Sequence, residues 1–280
     1  MTYTLASTTE NKEDIPLFRI SLPLILSSLS TNLMIFFDRF WLANFKLEAL
    51  SAVIASSILC FMFIEPINAI VTMSDAYIGR LNGSQRYASM GKYIWQMIWF
   101  SLATSVFFLA ISIWGTDLLI SKETQFTEDS RSYFKTLLWF GPFFPLNLAL
   151  SAFFIGRNAN TIILKTTILA HLINIFGDLV LIPGLFFFPK LGASGSAYSI
   201  GLATMAQSLI LFRQFIKSSN HDIFATRISK FEPKLLAQGL KWGLPNAIII
   251  LLEYSAWASI INFMGHQQHH ITVYGITESV

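Results

Sequence analysis

The sequence has 280 residues, of which 54% are hydrophobic and only 12% charged, with 26 Phe and a formal net charge of +3. Soluble domains carry about 25% charged residues, so a water-soluble globular protein is excluded and lipid must solvate much of this chain. The single cysteine, Cys60, excludes an internal disulfide and a cysteine-rich zinc site, and reads as a small buried hydrophobe.

Residues 1–16 are polar and hold Glu10, Lys12, Glu13 and Asp14. No small-residue cleavage site follows the first apolar run, so the segment reads as a cytoplasmic tail and the run as a retained helix. Seven apolar segments are long enough to span a bilayer, near 17–43, 50–72, 94–114, 134–155, 162–185, 194–215 and 241–263. They far exceed the roughly 10-residue strands of a membrane barrel, so the predicted class is an all-α, polytopic membrane protein. Many contain proline (Pro23, Pro66, Pro142, Pro145, Pro183, Pro245), which membrane helices tolerate, with a bend, where neighbours satisfy the freed carbonyl. With the N-terminus inside, the outer loops keep only Lys46, Lys122, Arg131, Lys135 and Lys190, and the other loop cations fall on the cytoplasmic side.

The longest connection, 216–240, mixes basic and apolar residues. It reads either as an amphipathic segment on the inner leaflet or as a linker between two halves. A short repeat favours the second reading. Arg19-Ile-Ser-Leu-Pro23 opens the first span and Lys241-Trp-Gly-Leu-Pro245 opens the seventh. Six helices separate the two starts, so the halves would run parallel, with one whole half and the first helix of a second in this chain.

Four acids lie inside these spans: Asp38, Glu65, Asp178 and Glu253. A carboxylate at mid-bilayer costs roughly 2.5–3.5 kcal/mol even on a lenient scale, and such groups usually face a hydrated cavity. His171, Asn174 and Asp178 are spaced by three and four, which puts them on one helix face. Asn174 with Asp178 reads as half of a proton or hard-cation site; an interhelical hydrogen-bond ladder is the structural alternative. Asp38 shares the first span with Ser27, Ser28, Ser30, Thr31 and Asn32, and its alternative role is an interfacial ion pair. Arg39 follows it directly but points elsewhere on the helix. Glu253 suits a group that loads and releases a proton, or else a protonated acid bonded to a carbonyl. Glu65 precedes Pro66 and is expected to bond the carbonyls that proline frees. Asn32, Glu65 and His171 are candidate cavity-lining residues. His266, His269 and His270 read as a solvated tail rather than a metal site. No glycine-rich phosphate loop and no paired-aspartate motif is present, so neither ATP hydrolysis nor another enzymatic activity is expected.

At this point the residues resemble a family, the multidrug and toxic compound extrusion (MATE) transporters. Leu22-Pro23 with Asp38 resembles their first helix, Gly243-Leu-Pro245 with Glu253 their seventh, and Asn174-x-x-x-Asp178 the polar pair of their fifth. Ile78-Gly-Arg-Leu-Asn-Gly83 resembles the loop after their second helix, and Gly192-Ala-Ser-Gly-Ser-Ala197 the entry to their sixth. The resemblance implies a six-helix N-lobe bundle (17–215), a cytoplasmic inter-lobe linker (216–240) and the first helix of a second lobe (241–263), flanked by the tail 1–16 and a truncated end at 264–280. It implies no cofactor, H⁺ or Na⁺ as coupling ion, export of cationic, amphipathic drugs or metabolites, and residence in a bacterial inner membrane. By the same resemblance Asp38, Asn174 and Asp178 form the ion site of the N-lobe, and Glu253 is the acid at the lobe interface. The expected partners are the substrate, the lipid bilayer and a missing C-terminal lobe, with no nucleic acid. Two rival readings are a lipid-linked sugar flippase of the same superfamily, which needs cationic cavity residues, and a non-transporting seven-helix scaffold or receptor, in which the buried acids would be silent.

Overall fold

The computed structural model describes residues 17–120 and 127–264. Its long helices are α1 (Leu17–Phe45), α2 (Leu47–Thr72), α4 (Tyr87–Ala110), α8 (Asn160–Leu181), α9 (Ala193–Phe215) and α11 (Pro233–Met264). Shorter ones are α3 (Ser74–Gly83), α5 (Thr116–Leu119), α6 (Thr127–Trp139), α7 (Phe143–Ile155) and α10 (Ser218–Phe224), with a π-helical turn at Ile111–Gly115 joining α4 to α5. No strand occurs among the described residues. Among the described residues six helices are long and apolar enough to cross a membrane, and α6 with α7, bent by 41° at their junction, passes the same test as a pair and counts as a seventh if it is one span. The chain is a multi-pass, all-α membrane protein.

The structure departs from the expected spans where hydropathy alone is blind. The fourth span breaks at Phe140-Gly141-Pro142, since Pro142 has no N–H to continue the ladder. The last helix starts at Pro233, eight residues ahead of the apolar run, because proline is favoured in a first helical turn. Residues 78–83, expected as loop, form most of α3. The connection after α9 lies against α4. Trp95 Nε1 donates to Thr226 O at 2.7 Å, Gln96 Nε2 to Lys230 O at 2.9 Å, and Gln96 Oε1 accepts from Glu232 N at 2.8 Å. The connection is thereby pinned to α4. The three clustered histidines lie outside the described residues.

Among the described residues two large apolar clusters and a small third one, Ala69, Ile70 and Ala247, hold the bundle. Leu42, Ile64, Phe134 and Leu137 centre one large cluster; Tyr93, Met97, Phe153 and Phe215 centre the other. Between them the helices approach through glycine, as membrane helices do when packing rather than water drives association. A Cβ on Gly195 would meet the Leu181 carbonyl at 2.8 Å, which brings α9 close to the end of α8. One on Gly243 would meet Ile70 Cα at 2.5 Å, which seats α11 on α2. α8 packs against both α1 and α9, and that three-helix seam positions the polar residues.

Candidate functional site

Asp38 lies three-quarters of the way along α1 and is only 7% exposed. Its Oδ1 accepts a 2.6 Å hydrogen bond from Ser196 Oγ, in the first turn of α9. α8 turns Asn174 and Asp178 inward, and both are fully buried. With its amide nitrogen toward the acid, Asn174 donates to Asp178 Oδ2 at 3.3 Å, and its oxygen accepts from Ile200 N at 3.2 Å. The Ser199 hydroxyl has two acceptors within reach, the Asp178 carboxylate and Gly195 O at 2.9 Å, and its single proton serves one of them at a time. Asp178 Oδ1 has no partner among the described residues. The two carboxylates interact electrostatically, and the buried phenol of Tyr133 on α6 lies within range of both.

The arrangement is an oxygen-rich cluster in an apolar bundle: two carboxylates, an amide, two serine hydroxyls and a phenol. Two carboxylates so close repel one another unless a cation or proton intervenes. A proton shared by the pair, or a small hard cation taken up by oxygen ligands, would serve. The sequence missed Ser196, Ser199 and Tyr133. Hydroxyls are ordinary in membrane helices and give no signal until a structure places them beside an acid.

The other candidates lie apart from this cluster. His171 is half-buried one turn below Asn174, its Nδ1 paired with Ser30 Oγ of α1 at 2.6 Å. Asn32 is exposed on α1. Glu65 on α2 accepts from Asn68 Nδ2 at 3.1 Å, so its recorded partner is a side-chain amide rather than a carbonyl freed by Pro66. Glu253 is exposed on α11, which packs on α2 and α4, and the structure does not bring it to Asp38 or Asp178.

A family model described as MatE matches residues 23–180, which hold Asp38, Asn174 and Asp178. The chain is 28% identical over 241 residues to the probable multidrug resistance protein YoeA of Bacillus subtilis (strain 168), covering 83% of this chain and 52% of that protein. It is 26% identical over 268 residues to the probable multidrug resistance protein NorM of Oceanobacillus iheyensis, covering 92% of this chain and 59% of that one. The chain thus spans about half the length of the curated relatives it matches. The solved MATE multidrug transporter DinF-BH superposes with a TM-score of 0.85 at 17% identity, over 99% of this chain and 63% of that one. An inward-facing MATE family transporter superposes with a TM-score of 0.73 at 19% identity, over 92% and 59%. These likenesses extend the match to the fold.

Proposed function

Because the chain belongs to the MatE family, we propose that it serves ion-coupled export of small molecules across a bacterial inner membrane. In this reading a cation, H⁺ or Na⁺, loads at Asp38 and Asp178, and a cationic, amphipathic drug or metabolite leaves in exchange. The N-terminus faces the cytoplasm. One observation carries the reading: two carboxylates from different helices share a buried cluster of hydroxyl and amide groups.

The coupling follows from where the partners sit. Asp38 is on α1, Ser196 and Ser199 on α9, Asn174 and Asp178 on α8. Neutralising the pair removes the repulsion that separates α1 from α8 and changes what Ser196 donates to. A ligand shifts a conformational equilibrium only through its differential affinity for the two states. A swing from 1:99 to 99:1 requires about 5.5 kcal/mol. Burying two carboxylates at roughly 2.5–3.5 kcal/mol each is a penalty of that order, relieved when a cation loads.

The test is efflux of a lipophilic cationic dye from cells that express the chain. Asp38→Asn and Asp178→Asn keep the shape of each side chain and remove its charge. Export above the vector control that each variant abolishes, at unchanged membrane abundance, is the expected result. Efflux that persists in both variants overturns the reading.

A further inference from the structure

Four polar side chains run down one face of α8: Thr167, His171, Asn174 and Asp178, separated by four, three and four residues. At 1.5 Å per residue the strip is about 16 Å long. Each member meets a polar group of a neighbouring helix. Gln207 Nε2 of α9 donates to Thr167 Oγ1 at 3.0 Å, Ser30 Oγ of α1 pairs with His171 Nδ1, and Asn174 and Asp178 meet Ile200 N and Ser199. Access falls along the strip. Thr167, His171, Gln207 and Ser30 are half-buried, whereas Asn174 and Asp178 are fully enclosed. The flanking Leu169, Leu172 and Phe176 are exposed and apolar, so the strip is a polar track on an otherwise greasy helix. Among its four members His171 is the one whose ordinary titration lies near neutral pH, and it stands between the accessible end and the acids.

We infer that His171 passes protons between the accessible end of this strip and the Asp38–Asp178 pair. The inference rests on the cation-loading reading of that pair. A proton arriving at one ring nitrogen makes the imidazolium, and the proton on the other nitrogen departs toward Asp178, whose Oδ1 is open to receive it. The ring is left as the opposite tautomer, and a flip of the imidazole resets it for the next proton. Two helical turns, about 10 Å, separate His171 from Asp178, so the transfer requires a hydrogen-bonded water chain between them. The ionisable groups on the elements around His171 are Arg19, Asp38 and Arg39 of α1, Tyr198 and Arg213 of α9, and Lys165 and Asp178 of α8 itself; α7 has none. The merely structural role would be to tie α1 to α8 through Ser30.

The experiment is a pH jump on the full chain in lipid nanodiscs. Asp178 is followed by its carboxyl infrared band, assigned by its loss in Asp178→Asn. His171→Ala should slow protonation of that band by roughly 10²-fold, the lower range for an acid–base group, without moving the equilibrium midpoint. Added imidazole should restore the rate. His171→Asn, which keeps a hydrogen-bonding group beside Ser30, should be as slow as His171→Ala, and Ser30→Ala should stay within a few-fold of the parent. Unchanged rates in both His171 variants overturn the relay. So do equal slowing by Ser30→Ala and absence of imidazole rescue, which together assign His171 to helix docking. If no band responds to Asp178→Asn, the loading reading itself fails rather than the relay.

Discussion

Asp178 is held in apolar surroundings by a small number of polar contacts, and one of them depends on a glycine. A Cβ at position 177 would lie 2.7 Å from Ser199 Oγ, so Gly177→Ala should push that hydroxyl off the acid. Losing one hydrogen bond to a charged group weakens the site by about 1.5–3 kcal/mol. We therefore expect cation uptake to weaken by about tenfold or more, read by titrating the chain in nanodiscs at unchanged helicity. Unaltered uptake would remove Ser199 from the site. Asp38 and Asp178 were legible in the sequence because a carboxylate in an apolar run is expensive and therefore conspicuous, and Asn174 because it lies four residues before Asp178 on the same helix face. Ser196, Ser199 and Tyr133 were not, because a hydroxyl costs little in a membrane helix and its partner lies on another helix. Spacing alone could not tell that Glu253 would project from α11 away from this cluster.

At the scale of elements, the connection before α11 is fixed by one buried side chain. Gln96 is fully enclosed, and its amide bonds both Lys230 O and Glu232 N. Gln96→Leu preserves volume but leaves a carbonyl and an N–H without partners. The connection should loosen, and trypsin should cut at Arg227 or Lys230 at least tenfold faster than in the parent, with the transmembrane helices intact. Equal cleavage rates would show that the tryptophan contacts suffice. A second test concerns the seat of α11. Gly243→Val would drive a Cβ to 2.5 Å from a backbone atom of α2, which cannot yield as a flexible side chain would. Overpacking of this kind costs about 1–3 kcal/mol, so a lowered unfolding temperature is expected. Apolar run length revealed that these helices exist. It could not reveal the break at Phe140–Pro142, because a hydropathy window averages across it, nor the helical turns of α11 before the apolar run, which proline initiates.

For the whole molecule, the asymmetry of Lys and Arg sets an expected orientation that the fold makes testable. Residues 183–192 and 216–217 lie at opposite ends of α9, whose 23 residues rise about 34 Å. Phe187 in the first loop is fully exposed, and Cys60 is buried. With the N-terminus inside, a membrane-impermeant maleimide added to intact cells should label Phe187→Cys and spare Lys217→Cys. The reverse pattern would invert the topology.

The claim on which the rest depends is that the Asp38–Asp178 cluster takes up the coupling ion. Its most direct test is the stoichiometry of cation binding to the full chain in nanodiscs, with proton uptake and binding of radiolabelled Na⁺ followed together. The account predicts saturable uptake of one of the two cations, lost in the Asp38→Asn, Asp178→Asn double variant while the fold is retained. Uptake that survives undiminished in the double variant would contradict it.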